Sequence, residues 1–147
     1  MTTGDDNALV QPAFTLTETA ALALLQAAVE KAREVGIKAT VAVVDQSGRQ
    51  LAFLRMAGSF LVSSELAHKK ACTAAGMGVE SVELGAMLKP AEPRVLEGLI
   101  KARDFTVIGG GVPLQWQDTV VGGIGVSGGS EEQDIECAQA AAQILCI

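Results

Sequence analysis

Eight of the chain's 16 glycines fall within one short stretch, residues 109–129. It runs Ile108-Gly109-Gly110-Gly111-Val112-Pro113-Leu114, then Val120-Val121-Gly122-Gly123-Ile124-Gly125-Val126-Ser127-Gly128-Gly129-Ser130. Glycine is placed where a backbone must take positive φ or approach something closely. Two glycine-rich turns here bracket a β-hairpin, and the second opens into a helix. A backbone of this kind, ending at a helix N-terminus, is a place for a ligand.

The remaining elements follow from periodicity. Leu16, Ala20, Leu24, Ala27, Ala28 and Val35 recur at helical spacing and predict a helix over 16–35. Thr15 and Glu18 form a capping box at its start, and Gly36 sits at its end. Lys38 to Asp45 is apolar on both faces and predicts a central strand, returned through Gln46-Ser47-Gly48 by a second strand, Arg49 to Met56. Ser63 or Ser64 caps a second helix that ends by Gly76 and Gly78. Two shorter helical pieces follow, broken by Pro90 and Pro93. Three more strands are expected near 104–108, 112–117 and 119–126, before a last helix capped by Ser130 and Gln133. The order αββ–ααα–βββα, dominated by hairpins, predicts an α+β fold with an antiparallel five-stranded sheet and helices on both faces.

Length and composition bound the function. The 147 residues fit one domain, expected over 15–147 behind a flexible lead-in at 1–14. Apolar residues make up 49% but aromatics only 3%, so the interior must be Ala, Val, Leu and Ile packed against Gly. No apolar run approaches the ~18 residues of a membrane span, so the surplus points to a buried oligomer interface. A net charge of −6 with scattered cations argues against nucleic acid. Cys72, Cys137 and Cys146 are odd in number and lack CxxC spacing, as expected of small core residues in a reducing compartment. Met1 to Gln11 has no apolar signal core, which makes the cytoplasm the expected location.

Several residues stand out chemically. The helix after Ser130 offers N–H groups and a positive dipole end beside Gly128 and Gly129, suited to a carboxylate or phosphate; its own Glu131, Glu132 and Ser130 are the competing occupants. The stretch is neither a Walker loop nor a dinucleotide fingerprint. Arg55 ends the second strand near Gly58 and can point toward the same sheet edge. His68 is the one histidine, with Cys72 four residues on along the same helix face. A lone histidine excludes a multi-His metal site and a His-based triad, but leaves an axial ligand to haem; the alternative is a surface or interface residue. Lys70 lies nearer the buried stripe than Lys69. Asp45 suits a turn cap, Asp134 a partner for a base, and Trp116 a cover for apolar surface.

The chain resembles the GlcG/HbpS-like family, which also supplies the C-terminal domain of PduO-type proteins. The matching stretches are Val41-Ala42-Val43-Val44-Asp45 with Gly48, Leu54-Arg55-Met56 with Gly58, and Ala67-His68-Lys69-Lys70-Ala71-Cys72-Thr73-Ala74. Gly110-Gly111-Val112-Pro113 and Gly122 through Gly129 with Gln133-Asp134 complete the match over roughly 15–145. The resemblance implies a profilin-like fold and homo-oligomers, dimers building to tetramers or octamers. It also implies links to haem binding, redox sensing, corrinoid metabolism or small-acid catabolism. Its functional Arg, Lys and Thr map onto Arg55, Lys70 and Thr73. Two departures are visible: Ala57 stands where the family has Asp, and Gln117-Asp118 replaces its usual DG turn. Haem ligands vary among relatives, so none is carried onto His68.

Two functional readings follow. In the first the protein is an oligomeric binder of a small anionic ligand, haem or an organic acid, held by Arg55, Lys70, Thr73 and the backbone of Gly128, Gly129 and Ser130. The alternative is a small enzyme, an isomerase, hydratase or lyase, using the same pocket with Lys70 as base.

Overall fold

The computed structural model describes residues 9–146. Along the chain lie α1 (Glu18–Val35), β1 (Thr40–Asp45), β2 (Gln50–Arg55), α2 (Val62–Met77), α3 (Ser81–Met87), α4 (Pro93–Ile100), β3 (Gly111–Trp116), β4 (Thr119–Ser127) and α5 (Glu131–Ala142). The four strands form one antiparallel sheet in the order β2-β1-β4-β3. Residues 1–8, most of the expected lead-in, lie outside the described residues. No helix among the described residues is long and apolar enough to cross a membrane.

β1 is buried on both faces, and this divides the core in two. Val41 and Val43 face α1 and α5 with Leu24, Ala28, Ile124 and Val126. Ala42 and Val44 face α2 with Ala67, Ala71 and Ala75. Helices therefore cover both sides of the sheet, as the doubly apolar strand predicts.

The α2 side has almost no side chains between helix and sheet. Pairing sets Gly125 opposite Ala42 and Gly111, and Gly123 opposite Val44. A Cβ on Gly125 would overlap the Ala67 carbonyl oxygen and lie 2.7 Å from the Ala71 nitrogen. On Gly123 it would overlap the Ala71 carbonyl oxygen, and on Gly111 the Lys70 carbonyl oxygen. The glycine run is thus chiefly a seat on which α2 lies backbone to backbone.

Local signals account for most element ends. Gly36 (φ 83°) closes α1 in the left-handed conformation, donating to the Ala32 carbonyl. Gln117 and Asp118 take φ of 51° and 62°, so the β3–β4 hairpin keeps the left-handed turn that a two-residue connection demands. The α1 cap is displaced from expectation: Thr17, not Thr15, accepts the Ala20 N–H at 3.2 Å. Leu16, directly before the cap, is buried with Ala21, and this apolar anchor sets where the helix begins. Neither Ser63 nor Ser64 caps α2. Ser63 lies inside the helix, buried, with its Oγ 2.7 Å from Thr40 Oγ1.

The sheet has four strands, not five. The apolar stretch 104–108 is irregular, because its backbone donors are taken by side chains rather than by a neighbouring strand. Thr106 N–H donates to Thr73 Oγ1 (3.0 Å) and Ile108 N–H to Thr106 Oγ1 (3.2 Å). Asp104, at φ 58°, turns the chain just before.

The glycine seat makes a directional prediction. Gly125→Ala should destabilise the protein by about 1–3 kcal/mol through overpacking. Gly76→Ala, on α2 where an added Cβ meets nothing within 4 Å, should be neutral or stabilising by up to about 1 kcal/mol. Urea denaturation of the two variants compares them directly, and equal effects would contradict the backbone contact.

Candidate functional site

Lys70 projects from α2 toward the end of β4 and is closed in. Its Nζ donates to the Val126 carbonyl (2.9 Å) and to Asp134 Oδ2 (3.0 Å). The two side chains are only 1% and 5% exposed. Burial lowers the Lys70 pKa, and the charge of Asp134 opposes that shift. Space for the amine exists because residue 110 is glycine: a Cβ there would stand 2.9 Å from Nζ.

Asp134 does a second job. Its Oδ1 accepts the Gly129 N–H at 2.9 Å, fixing the turn that enters α5. Ser130 and Gln133 complete a reciprocal capping box, at 2.9 and 3.2 Å. Glu131 Oε2 accepts the Gly109 N–H at 2.6 Å. The Gly129 and Ser130 amides that the sequence offers to an anion are therefore satisfied by the chain's own side chains. Gly128 serves close packing, since a Cβ would overlap the Lys38 carbonyl oxygen.

Thr73, one turn beyond Lys70, is also engaged. Its hydroxyl donates to the Lys69 carbonyl (2.8 Å) and accepts from the Thr106 N–H (3.0 Å). Lys70, Thr73 and the α5 N-terminus thus form a braced unit around Asp134 and the loop before β3.

Arg55 stands apart. It ends β2, with β1 between it and β4, about 10 Å away by strand spacing. Among the described residues its guanidinium donates to Ser59 alone, through Nε to the hydroxyl (3.3 Å) and Nη2 to the carbonyl (3.1 Å). Among the described residues no carboxylate pairs with it. Exposed apolar side chains lie near it in the chain: Phe53, two residues before it on the same face of β2, and Phe60 (68% exposed), Leu61 (81%) and Val62, which follow the Ser59 it binds.

His68 and Cys72 share a face of α2, and the fold adds a third group that no local pattern announces. His68 Nδ1 lies 3.1 Å from Gln50 Oε1. Its Nε2 lies 3.4 Å from Cys72 Sγ and 3.6 Å from Asp104 Oδ1. Burial, with the charges of Asp104 and Asp45, pushes the Cys72 thiol up to about 11. Asp45 caps the β1–β2 turn, accepting the Ser47 and Arg49 N–H groups (2.8 and 3.0 Å). Trp116 packs edge-on against Phe14 with ring centroids 4.9 Å apart. A small apolar cleft of about 280 Å³ adjoins them.

Comparison with known proteins places these features in a lineage. The family described as "Haem degrading protein HbpS-like" matches residues 16–143. The chain is 42% identical over 120 residues to the corrinoid adenosyltransferase PduO of Salmonella typhimurium, covering 80% of this chain and 35% of that protein. It therefore spans about a third of the length of that relative. The Klebsiella pneumoniae protein ORFY superposes with a TM-score of 0.87 at 29% identity, covering 95% of this chain and 96% of that one. A PduOC:haem complex superposes with a TM-score of 0.80 at 38% identity, covering 88% and 94%.

The buried ion pair predicts strong coupling. Lys70→Met and Asp134→Leu should each cost about 3–5 kcal/mol, because each strands an uncompensated charge. The double variant should lose at least about 1 kcal/mol less than the sum. Urea unfolding of all four proteins measures this, and additive losses would show that the two groups do not act as a pair.

Proposed function

The chain belongs to the HbpS-like family, and on that premise we propose that it binds a small anionic ligand with a large apolar body, haem foremost, at the Arg55 patch. The observation that carries this is the Arg55 guanidinium, bound to Ser59 and to no carboxylate among the described residues, with exposed Phe53 two residues before it on β2 and exposed Phe60, Leu61 and Val62 directly after Ser59 in the chain. A cation within an apolar surface complements a ligand that is carboxylate at one end and hydrocarbon over the rest. Ala57, where the family has Asp, leaves that cation un-neutralised. The relative described as a PduOC:haem complex supports the choice of ligand.

The residues fit the acid groups and macrocycle of haem better than its iron. His68, the chain's one histidine, directs Nε2 toward Cys72 and Asp104 rather than toward the Arg55 patch. Anchoring through the propionates is the contact the patch supplies. Lys70, Thr73 and the Gly128–Ser130 turn then act by holding α2 and the sheet in place.

The same patch supports a homo-oligomer. β2 is an edge strand that carries exposed Leu51, Phe53 and Leu54, and exposed Phe60, Leu61 and Val62 follow it in the chain. An exposed apolar edge of this kind calls for a cover. A second copy supplies one, with the ligand between subunits.

Haemin titration followed by the Soret band, with native mass spectrometry of the same samples, tests the proposal. Wild type should bind saturably as an oligomer, and metal-free protoporphyrin IX should bind within a few-fold of haemin. Arg55→Glu should weaken both at least tenfold, while Arg33→Glu, on α1, should not. Unchanged affinity in Arg55→Glu, or no saturable binding, would defeat the reading.

A further inference from the structure

We propose that His68, Cys72 and Asp104 form a binding site for a divalent transition-metal ion of the zinc class, separate from the Arg55 patch. Three ligand types come together from two distant parts of the chain, one nitrogen, one sulfur and one carboxylate oxygen, all within 4.8 Å of one another. Bonds of about 2.0–2.1 Å to nitrogen or oxygen and 2.3 Å to sulfur, at tetrahedral angles, set ligand atoms roughly 3.3–3.6 Å apart. The observed separations from His68 Nε2 are 3.4 Å to sulfur and 3.6 Å to oxygen. The third separation, Cys72 to Asp104, lies within 4.8 Å, so closing the triangle on an ion takes an adjustment of at most about 1.3 Å.

The orientation of the imidazole is the second argument. Gln50 Oε1 is a carbonyl oxygen and can only accept, so Nδ1 carries the proton in that 3.1 Å contact. In the neutral ring Nε2 then presents its lone pair to the Asp104 carboxylate. Two acceptors face each other beside the Cys72 thiol, whose sulfur is 3.4 Å from Nε2, and a cation that displaces the thiol proton satisfies all three groups. A ligating histidine is typically held this way, with its far nitrogen donating to an oxygen.

Charge and access agree. Binding releases the Cys72 proton to solvent; the resulting thiolate, with a carboxylate and a neutral imidazole, sums to −2, which balances a divalent ion, and sulfur with imidazole disfavours Mg²⁺ or Ca²⁺. All three side chains are partly exposed. A cleft of about 250 Å³, lined by Cys72, Asp104, Gly48, Gly76 and Arg103 among others, borders two of the three ligands. It leaves room for a fourth ligand, a water or a small molecule, so the site has the open position of a reactive or sensing centre rather than a closed structural one. The competing arrangement is a protonated His68 paired with Asp104, without metal.

The full chain, stripped with chelator and titrated with Co²⁺ alone, decides between them. Binding should be one-to-one with a thiolate-to-cobalt charge-transfer band that Zn²⁺ abolishes. Cys72→Ser should remove the band, His68→Ala and Asp104→Asn should weaken binding at least tenfold, and Cys146→Ser should change nothing. Gln50→Leu should keep the band but weaken binding, as expected of a positioning residue. Far-UV circular dichroism checks the fold of each variant; should Cys72→Ser misfold, Asp104→Asn, altered at a half-exposed position, carries the test. No band in wild type, or a band that survives in folded Cys72→Ser, would overturn the proposal.

Discussion

The contact on which the structure depends is the one between the backbone of α2 and the glycine face of β3 and β4. Gly111, Gly123 and Gly125 admit the carbonyls of Lys70, Ala71 and Ala67 where any side chain would overlap them. At these three glycines no side chain separates helix from sheet, so the position of α2 over β3 and β4 is set by backbone geometry and tolerates little drift. The side chains at the buried ion pair and at the His68–Cys72 cluster are registered to that helix. Lys70 reaches Asp134 on α5, Thr73 holds the loop before β3, and His68 and Cys72 face the β1–β2 hairpin.

The Lys70–Asp134 pair extends this constraint across the molecule. Withdrawing an ammonium and a carboxylate from water is costly, and the pair is expected to gain little net stability over an apolar substitute. Its structural effect is directional. One carboxylate binds an amine from α2 and an amide from the turn into α5, which ties the two sides of the sheet at one end. The N–H donors of Gly129, Ser130 and Gln133 around the α5 N-terminus are used internally, whereas the Arg55 guanidinium has no carboxylate partner among the described residues.

Much of the fold was legible because its signals are local. The Ser130–Gln133 box, Gly36 after α1, the Gln117-Asp118 turn and the doubly apolar β1 each specify their own conformation. The fifth strand failed for a reason that is not local: Phe105 to Ile108 has strand composition, but its donors find Thr73 and Thr106 first. Thr15 lost the α1 cap to Thr17 because Leu16 had to be buried. At the site, Lys70 and Asp134 were each visible as candidates, but their union depends on a sheet register no spacing reveals. Asp104 gave no signal at all, since 36 positions separate it from His68 in sequence and only the fold closes the gap.

Amide hydrogen exchange measured residue by residue tests the central contact most directly. If α2 is seated on the glycine face as described, buried amides of α2 from Ala71 to Ala75 should exchange only through the same opening as those of β1 and β4, with one common free energy near that of global unfolding. Exchange of α2 through its own low-energy opening, while the sheet stays protected, would contradict the account.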